Sequence, residues 1–448
     1  MPRTQIVLAS TLYGAATVAA ALDAGCFGPA DRRLLLVSNN AAVPETTPPL
    51  DATHGFAALR DRFDGVLSWN EAISPFHPSG WAPRPDDEPM WERYLRLLWG
   101  LGDDEIELAV ESVHVEPALA LVQLFPSATV DVYADGLMSY GPTRNKLEPL
   151  VTTRIRRLLH PDLVPGLRPL LLSEYGVEPQ VVPTAAFVDV LEELAKATPL
   201  GEPAGEGPAV LLGQYLAVLG ILTADEEERL HVRMLRGAAA RGHRTIVFKP
   251  HPSAPARWSR RLEKEAADLG VELTVFDEPV LAEVLFQQLR PALVVGCFST
   301  ALFTASALYG IPVARTGTDL LLRRLTPYQN SNRVPVTIAE ALLPALDPRE
   351  DAAEPLTVPE LTALLRAVGF CMQAKAYPKL RVETVRYLAR HRDRRTRRYF
   401  GRRRLVALAL PGGIPSGLAF LPRSPLVRRV ARRTFRLLRL RPKGGTGT

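Results

Sequence analysis

Cysteine is scarce: Cys26, Cys297 and Cys371 are the only three in 448 residues. Their odd number and wide spacing exclude a disulfide framework and a cysteine-built zinc site, and fit a reducing compartment. Long apolar runs are also lacking. The best, Gln5–Ala21, is interrupted by Ser10, Thr11, Tyr13 and Thr17, so no segment is expected to span a membrane. Residues 20–26 imitate a lipoprotein signal, but Asp23 stands where an apolar residue belongs. A first strand followed by an Ala-rich helix is the expectation there rather than an export signal.

Several nucleotide and hydrolase fingerprints are missing as well. No G-x-G-x-x-G follows a strand, no Walker A loop is present, and no G-x-S-x-G elbow exists. No His/Asp/Glu cluster has metal-ligand spacing, and no D-x-D follows a strand of the first half. These absences point to a reaction that needs no resident cofactor and no metal.

What is present is an ordinary globular composition, 47% hydrophobic and 23% charged, which excludes wholesale disorder. The net charge of +6 hides an asymmetry: residues 391–443 hold sixteen Arg and one Lys against Asp393, leaving 37 bases and 47 acids elsewhere. The body is mildly acidic and the end of the chain strongly basic.

In the second half, short runs rich in Val, Leu and Ile predict strands at Ala209–Leu212, Thr245–Phe248, Glu272–Phe276, Ala292–Val295 and Ile311–Ala314. Helical periodicity falls between them, at Asp225–Arg241, Pro255–Leu269, Val280–Gln288 and Thr300–Tyr309. Alternation at this spacing predicts an α/β fold with a doubly wound parallel sheet. The first half repeats it less cleanly, with strands at Ile6–Ala9, Leu34–Val37, Gly65–Ser68, Thr129–Tyr133 and Gln180–Val182. Helices are expected there at Ala15–Ala24, Phe56–Phe63, Pro89–Trp99 and Val115–Leu124. The Gly/Pro stretch 201–208 marks a boundary. The expected domains are 1–200, 201–390 and a basic tail, 391–448.

Open α/β sheets bind ligands beyond the carboxyl ends of their strands, so the residues there form the shortlist. Asp135-Gly136 follows Thr129–Tyr133; a carboxylate so placed can take a proton from a hydroxyl, although Asp-Gly is also a common turn. His251 lies between Pro250 and Pro252 after a strand, with Lys249 before them. Two prolines fix the backbone and can present the imidazole to a phosphate; the bland alternative is a rigid turn. Ser299-Thr300 opens a helix after Ala292–Val295. Hydroxyls and free N–H groups at a helix N-terminus can seat an anion, and Ser299 is equally an ordinary N-cap. Secondary candidates are Gln214, Asp277 and Glu278 for the donor, and Ser10, Thr11, Ser38, Asn39 and Arg144 for the acceptor or sugar.

The order of an Asp-Gly motif, a His-Pro motif and a hydroxyl pair resembles the bacterial α-2,8-polysialyltransferase family. The resemblance implies a GT-B fold: two Rossmann-like domains facing a cleft, an acceptor domain first and a nucleotide-sugar domain second. It implies inverting transfer of sialic acid from a CMP-sialic acid donor to a glycan acceptor. Asp135 would be the base, His251 would assist the departing phosphate, and Ser299 and Thr300 would seat it. Two departures stand out: Ala134 where the family usually has an acid, and Thr300 where it commonly has serine. They leave the reaction type intact and the donor sugar open.

The nearest rival is another transferase of surface-polymer synthesis, using CMP-Kdo or CDP-glycerol. A second essential histidine in the first half would favour the latter, but none of His54, His77 and His114 follows a predicted strand. Binding to nucleic acid is disfavoured, because the basic tail lacks interleaved aromatics and the body is acidic. Residues Pro425–Leu440 place Val427, Val430, Ala431, Thr434, Phe435 and Leu438 near one helical face, with arginines filling the rest. That pattern predicts an interfacial helix on an anionic membrane surface, hence a cytoplasmic enzyme peripheral to the inner face of the cell membrane. The competing reading is a C-terminal brace on the acidic body.

Overall fold

The computed structural model describes residues 1–200, 207–251, 259–347, 354–391 and 393–413. Most of the Gly/Pro boundary, Pro252 and the helix expected at Pro425–Leu440 lie outside the described residues.

Seven strands form the first sheet: β1 (Arg3–Ala9), β2 (Arg32–Val37), β3 (Gly65–Ser68), β4 (Glu105–Glu111), β5 (Thr129–Tyr133), β6 (Ile155–Pro161) and β7 (Pro179–Val182). Their order is β3-β2-β1-β4-β5-β6-β7, and every pairing is parallel. The second sheet has β8 (Ala209–Leu212), β9 (Thr245–Lys249), β10 (Glu272–Val275), β11 (Leu293–Gly296) and β12 (Val313–Arg315), in the parallel order β10-β9-β8-β11-β12. Each sheet reverses its winding once, between β1 and β4 and between β8 and β11. A doubly wound sheet opens its ligand crevice at that reversal.

The middle of the sheets is apolar because both faces are covered. Ile6, Leu8, Leu34, Leu36, Val130 and Val132 are fully buried, as are Val210, Leu211, Ile246, Val294 and Val295. Helix α1 (Leu12–Asp23) packs its alanines against the first sheet, alongside α2 (Thr184–Ala197). Ala15, Ala16, Ala19 and Ala20 are buried; small side chains let the helix lie close to the strands. Helix α3 (Ala224–Ala240) opens with a capping box of Thr223 and Glu226, which satisfies two backbone donors reciprocally.

Strands β4 and β6 escape the sequence reading for a specific reason. They carry Glu105, Glu107 and Glu111, and Arg156 and Arg157, so neither reads as an apolar run. The charges are matched across strands instead. Buried Asp131 on β5 accepts from Arg156 and Arg157, with Nη2 distances of 2.7 and 3.0 Å. Glu107 accepts from Gln5 at 2.9 Å and Arg156 at 3.2 Å. Paired in this way, charged groups can occupy a central strand.

The two halves are docked along two seams. Helix α4 (Ala282–Leu289) packs on α2, and Gln288 Nε2 donates to the Ala195 and Thr198 carbonyls at 2.8 Å each. On the other side, Leu137, Tyr140, Leu163, Leu167 and Leu170 of the first half join the hydrophobic core of the second. Tyr377 reinforces this seam: its hydroxyl donates to the Leu170 carbonyl at 3.0 Å and accepts from the Thr143 amide at 3.1 Å.

The start of the expected tail is part of the body. Tyr399, Phe400, Leu405 and Leu410 are buried in the second core. Arg404 donates to the Cys371 and Met372 carbonyls, at 2.6 and 3.2 Å, at the end of helix Val358–Met372. There it supplies donors and a favourable charge for the helix C-terminus. Arg398 pairs with Glu340. Among the described residues, no helix is long and apolar enough to cross a membrane.

Candidate active site

Helix α1 begins where β1 ends. Thr11 is its N-cap, and Thr11 Oγ1 accepts from the Gly14 amide at 2.9 Å. Gly14 is a point of convergence. A Cβ placed there would lie 3.1 Å from Thr11 Oγ1, 3.3 Å from Glu111 Oε2 and 3.4 Å from Asp135 Oδ2. Thus the ends of β1, β4 and β5 bring a hydroxyl and two carboxyl groups together over the first turn of α1, where the helix dipole favours negative charge.

Both carboxyl groups are half-buried. Burial holds Asp135 above the usual carboxylate range, against hydrogen bonds from its own amide and Thr11 that pull it down. Glu111 is pushed up to about 7, by burial first and the Asp135 charge second, with Ser10 and Tyr133 opposing. The Tyr133 hydroxyl donates to the Leu8 carbonyl at 2.8 Å and reaches Glu111 Oε2 at 3.4 Å. Directly after Glu111, Ser112 has φ +45°, a left-handed conformation that costs a non-glycine residue energy and tends to mark functional loops.

In the second domain, Ser299 caps α5 (Thr300–Tyr309), accepting from the Ala301 amide at 3.3 Å. Gln214, after β8, accepts from the Phe298 amide through Oε1 at 3.1 Å. The end of β8 is thereby tied to the hydroxyl loop, across the second reversal point. A Cβ on Gly213 would lie 3.1 Å from Pro250 Cα, so the Gly213–Tyr215 loop runs against the one carrying His251. The Tyr215 and His251 rings are 3.8 Å apart, centroid to centroid, tilted by 43°. Burial, and then the Lys249 charge, push the imidazole down to about 4, which leaves it neutral near pH 7.

The two half-sites meet. A Cβ on Gly136 would lie 3.3 Å from Thr300 Oγ1. The Asp-Gly motif of one domain therefore comes close to the helix N-terminus of the other, to which the His251 loop is joined through Tyr215, Gln214 and Phe298. This meeting of two parallel α/β sheets at their carboxyl ends is the GT-B arrangement.

Other shortlisted residues are employed elsewhere. Lys249 is buried, and its Nζ donates to the Glu278 carbonyl at 3.0 Å, over the Phe276 ring. Burial lowers its ammonium to about 8. Asp277 and Glu278 are exposed beyond the edge strand β10. Ser38 bonds Asn40, and the Asn39 amide group donates to the Pro44 and Thr47 carbonyls, so these residues shape their own loop. Arg144 bonds Ser331 at the seam between domains.

Glu111, Tyr215 and Gly14 belong to the site and were not singled out from the sequence. The expectation that no first-half histidine follows a strand also needs correction. His114 lies three residues past β4, its Nδ1 is buried without a hydrogen-bond partner among the described residues, and burial pushes it down to about 4. Its place beyond a strand was missed because β4 was. Among the described residues, no group of three or more His, Cys, Asp or Glu is placed to hold a metal ion.

The structure is similar to that of an α/β-galactoside α-2,3-sialyltransferase from Photobacterium phosphoreum, with 13% identity, TM-score 0.40, and coverage of 75% of this chain and 95% of that one. A sialyltransferase GT-B domain from Photobacterium damselae gives 12%, 0.37, 74% and 95%, and Acinetobacter baumannii MurG gives 12%, 0.37, 84% and 95%. Likeness at this level says nothing about substrate. No curated protein matches the sequence significantly. The sequence does match the alpha-2,8-polysialyltransferase (POLYST) family over residues 5–318, a span that holds both halves of the site. This chain belongs to the alpha-2,8-polysialyltransferase family, and is a sialyltransferase-like glycosyltransferase that works between a nucleotide-sugar donor and a glycan acceptor.

Proposed function

We propose that the enzyme transfers sialic acid from CMP-sialic acid to a glycan hydroxyl, with inversion and without a metal, to extend a cell-surface polymer. The observation that carries this reading is the close approach of Gly136 to Thr300, which brings the turn after Asp135 to a hydroxyl-bearing helix N-terminus of the other domain. In the reaction, Asp135 takes the proton of the acceptor hydroxyl. The acceptor oxygen bonds to the anomeric carbon as the carbon–oxygen bond to the phosphate breaks, and CMP leaves with that electron pair. His251 as a neutral donor, Ser299, Thr300 and the amides of α5 stabilise the phosphate. The donor carries one phosphate, so these groups suffice without an ion to bridge two. Gln214 positions the loop.

His114 gives a specific reason to keep transfer from CDP-glycerol as the second reading, since it lies at the end of a first-domain strand. A donor screen with CMP-sialic acid, CMP-Kdo and CDP-glycerol, run with and without EDTA, tests both. Turnover of CMP-sialic acid that survives EDTA is expected. Preference for CDP-glycerol, or activity restored by added metal, would overturn the reading. Attachment to an anionic leaflet through residues 425–440 remains part of the proposal; those residues lie outside the described ones.

A further inference from the structure

Asp135 does not act alone in its corner of the cleft. Strand β4 lies beside β5 in register, Glu111 opposite Tyr133, so Glu111 ends its strand beside the turn that delivers Asp135. One oxygen of each carboxyl group, Glu111 Oε2 and Asp135 Oδ2, lies within 3.4 Å of one point, where a Cβ on Gly14 would stand. The surrounding elements contribute few charges. Ser10, between β1 and α1, and Tyr133 of β5 hydrogen-bond Glu111. Tyr13 of α1 carries a buried hydroxyl without a hydrogen-bond partner among the described residues, and burial first, then the charges of Glu283 of α4 and Asp135, hold that phenol in its neutral form.

We infer that Glu111 is a positioning residue of the transfer reaction, a second carboxyl that keeps its own proton while Asp135 stays ionised to accept the acceptor's. Two like charges this close and this buried do not both ionise easily. In the active form the corner holds one proton, on Glu111, and one negative charge, on Asp135. During transfer the acceptor proton goes to Asp135 and then to solvent, and Glu111 gains and loses none. When Glu111 ionises, the corner becomes doubly negative and repels an anionic sugar donor. This inference rests on the reading of Asp135 as the base; the shift of Glu111 to about 7 is consistent with it.

The test compares Glu111→Gln with wild-type full-length protein in two measurements. In the pH profile of kcat/KM, the wild type is expected to fall on the alkaline side of about pH 7, approaching ~10-fold per pH unit. Glu111→Gln should keep the acid limb, set by Asp135, and lose the alkaline one. A merely structural role would instead scale the whole profile, and superimposable shapes overturn the inference. Separately, infrared titration should show a protonated carboxyl band in the wild type that disappears between about pH 6 and 8. The band should be absent in Glu111→Gln and titrate at lower pH in Asp135→Asn. Its absence in the wild type overturns the inference whatever the donor proves to be. If no donor in the screen turns over, the reading of function fails while the infrared titration still decides the role of Glu111.

Discussion

The hydroxyl of Thr300 lies 3.3 Å from where a side-chain carbon on Gly136 would begin. Gly136 is extended, with φ −135° and ψ 174°, so alanine is tolerated there by the backbone and crowded only by the neighbouring domain. Gly136→Ala should therefore leave the melting temperature within about 2 °C of wild type, since the site is only half-buried and the backbone unstrained. It should lower kcat by ~10-fold or more by holding the half-sites apart. Wild-type turnover would show that the close approach is not needed for the reaction.

Asp135→Asn removes the proposed base and keeps the shape. Turnover should drop by roughly 10²–10⁴-fold, the range for losing a positioned acid or base. Affinity for CMP should hold, since the residues proposed to seat the phosphate lie on the other domain. Retained turnover would take Asp135 out of the mechanism.

These residues differ in how far the sequence discloses them. His251, Ser299 and Asp135 are legible because proline, glycine and hydroxyl residues punctuate the ends of apolar runs. Glu111 is not, because its strand carries three glutamates, and its neighbour in space, β5, begins eighteen residues later. Only the sheet order brings Glu111 to Asp135. Ser38 and Asn39 mislead in the opposite direction: polar residues after a strand resemble a binding loop, yet theirs is spent on internal hydrogen bonds. The arginines of 393–404 read as one basic appendage because composition cannot show that Arg404 caps a helix and Arg398 pairs with Glu340.

Burial and Lys249 hold His251 near 4, and a bound phosphate would raise it. Between the free and bound values, binding must take up a proton at the imidazole, so affinity for CMP should gain as pH falls from about 6.5 to 4.5. CMP's own phosphate also titrates there, so the informative quantity is the difference between wild type and His251→Ala in calorimetric proton uptake. Identical uptake by both proteins would remove the imidazole from the phosphate seat.

A chain ending at Gly413 should melt like the full-length protein. One ending at His391 should not, since it removes Tyr399, Phe400, Leu405 and Leu410 from the core. Each such side chain contributes roughly 1.5–3 kcal/mol when buried. The same pair of chains separates brace from anchor. If residues 414–448 bind the membrane, the chain ending at Gly413 should lose flotation with anionic liposomes while remaining folded. Equal flotation of full-length and shortened chains would refute anchoring by that segment.

Glu111 also makes a prediction about stability, and its sign is opposite to that of a salt-bridged carboxylate. Its carboxyl is raised to about 7 in the folded protein, against ~4.3 in an unfolded chain. Between those values the folded state holds a proton that the unfolded state has released. The stability tied to that proton is present below about pH 4 and is lost as pH rises through 7. Glu111→Gln, which cannot ionise, keeps what the wild type loses. Denaturant unfolding at pH 5 and pH 8 should show the variant gaining on wild type towards pH 8, by on the order of 1–3 kcal/mol. In an Asp135→Asn background the gain should shrink but not vanish, because burial, the larger cause of the shift, remains while the Asp135 charge is gone. The same wild-type-to-variant difference at both pH values would mean that Glu111 ionises like an ordinary glutamate, and that the two carboxyl groups do not share the corner in the way their geometry indicates.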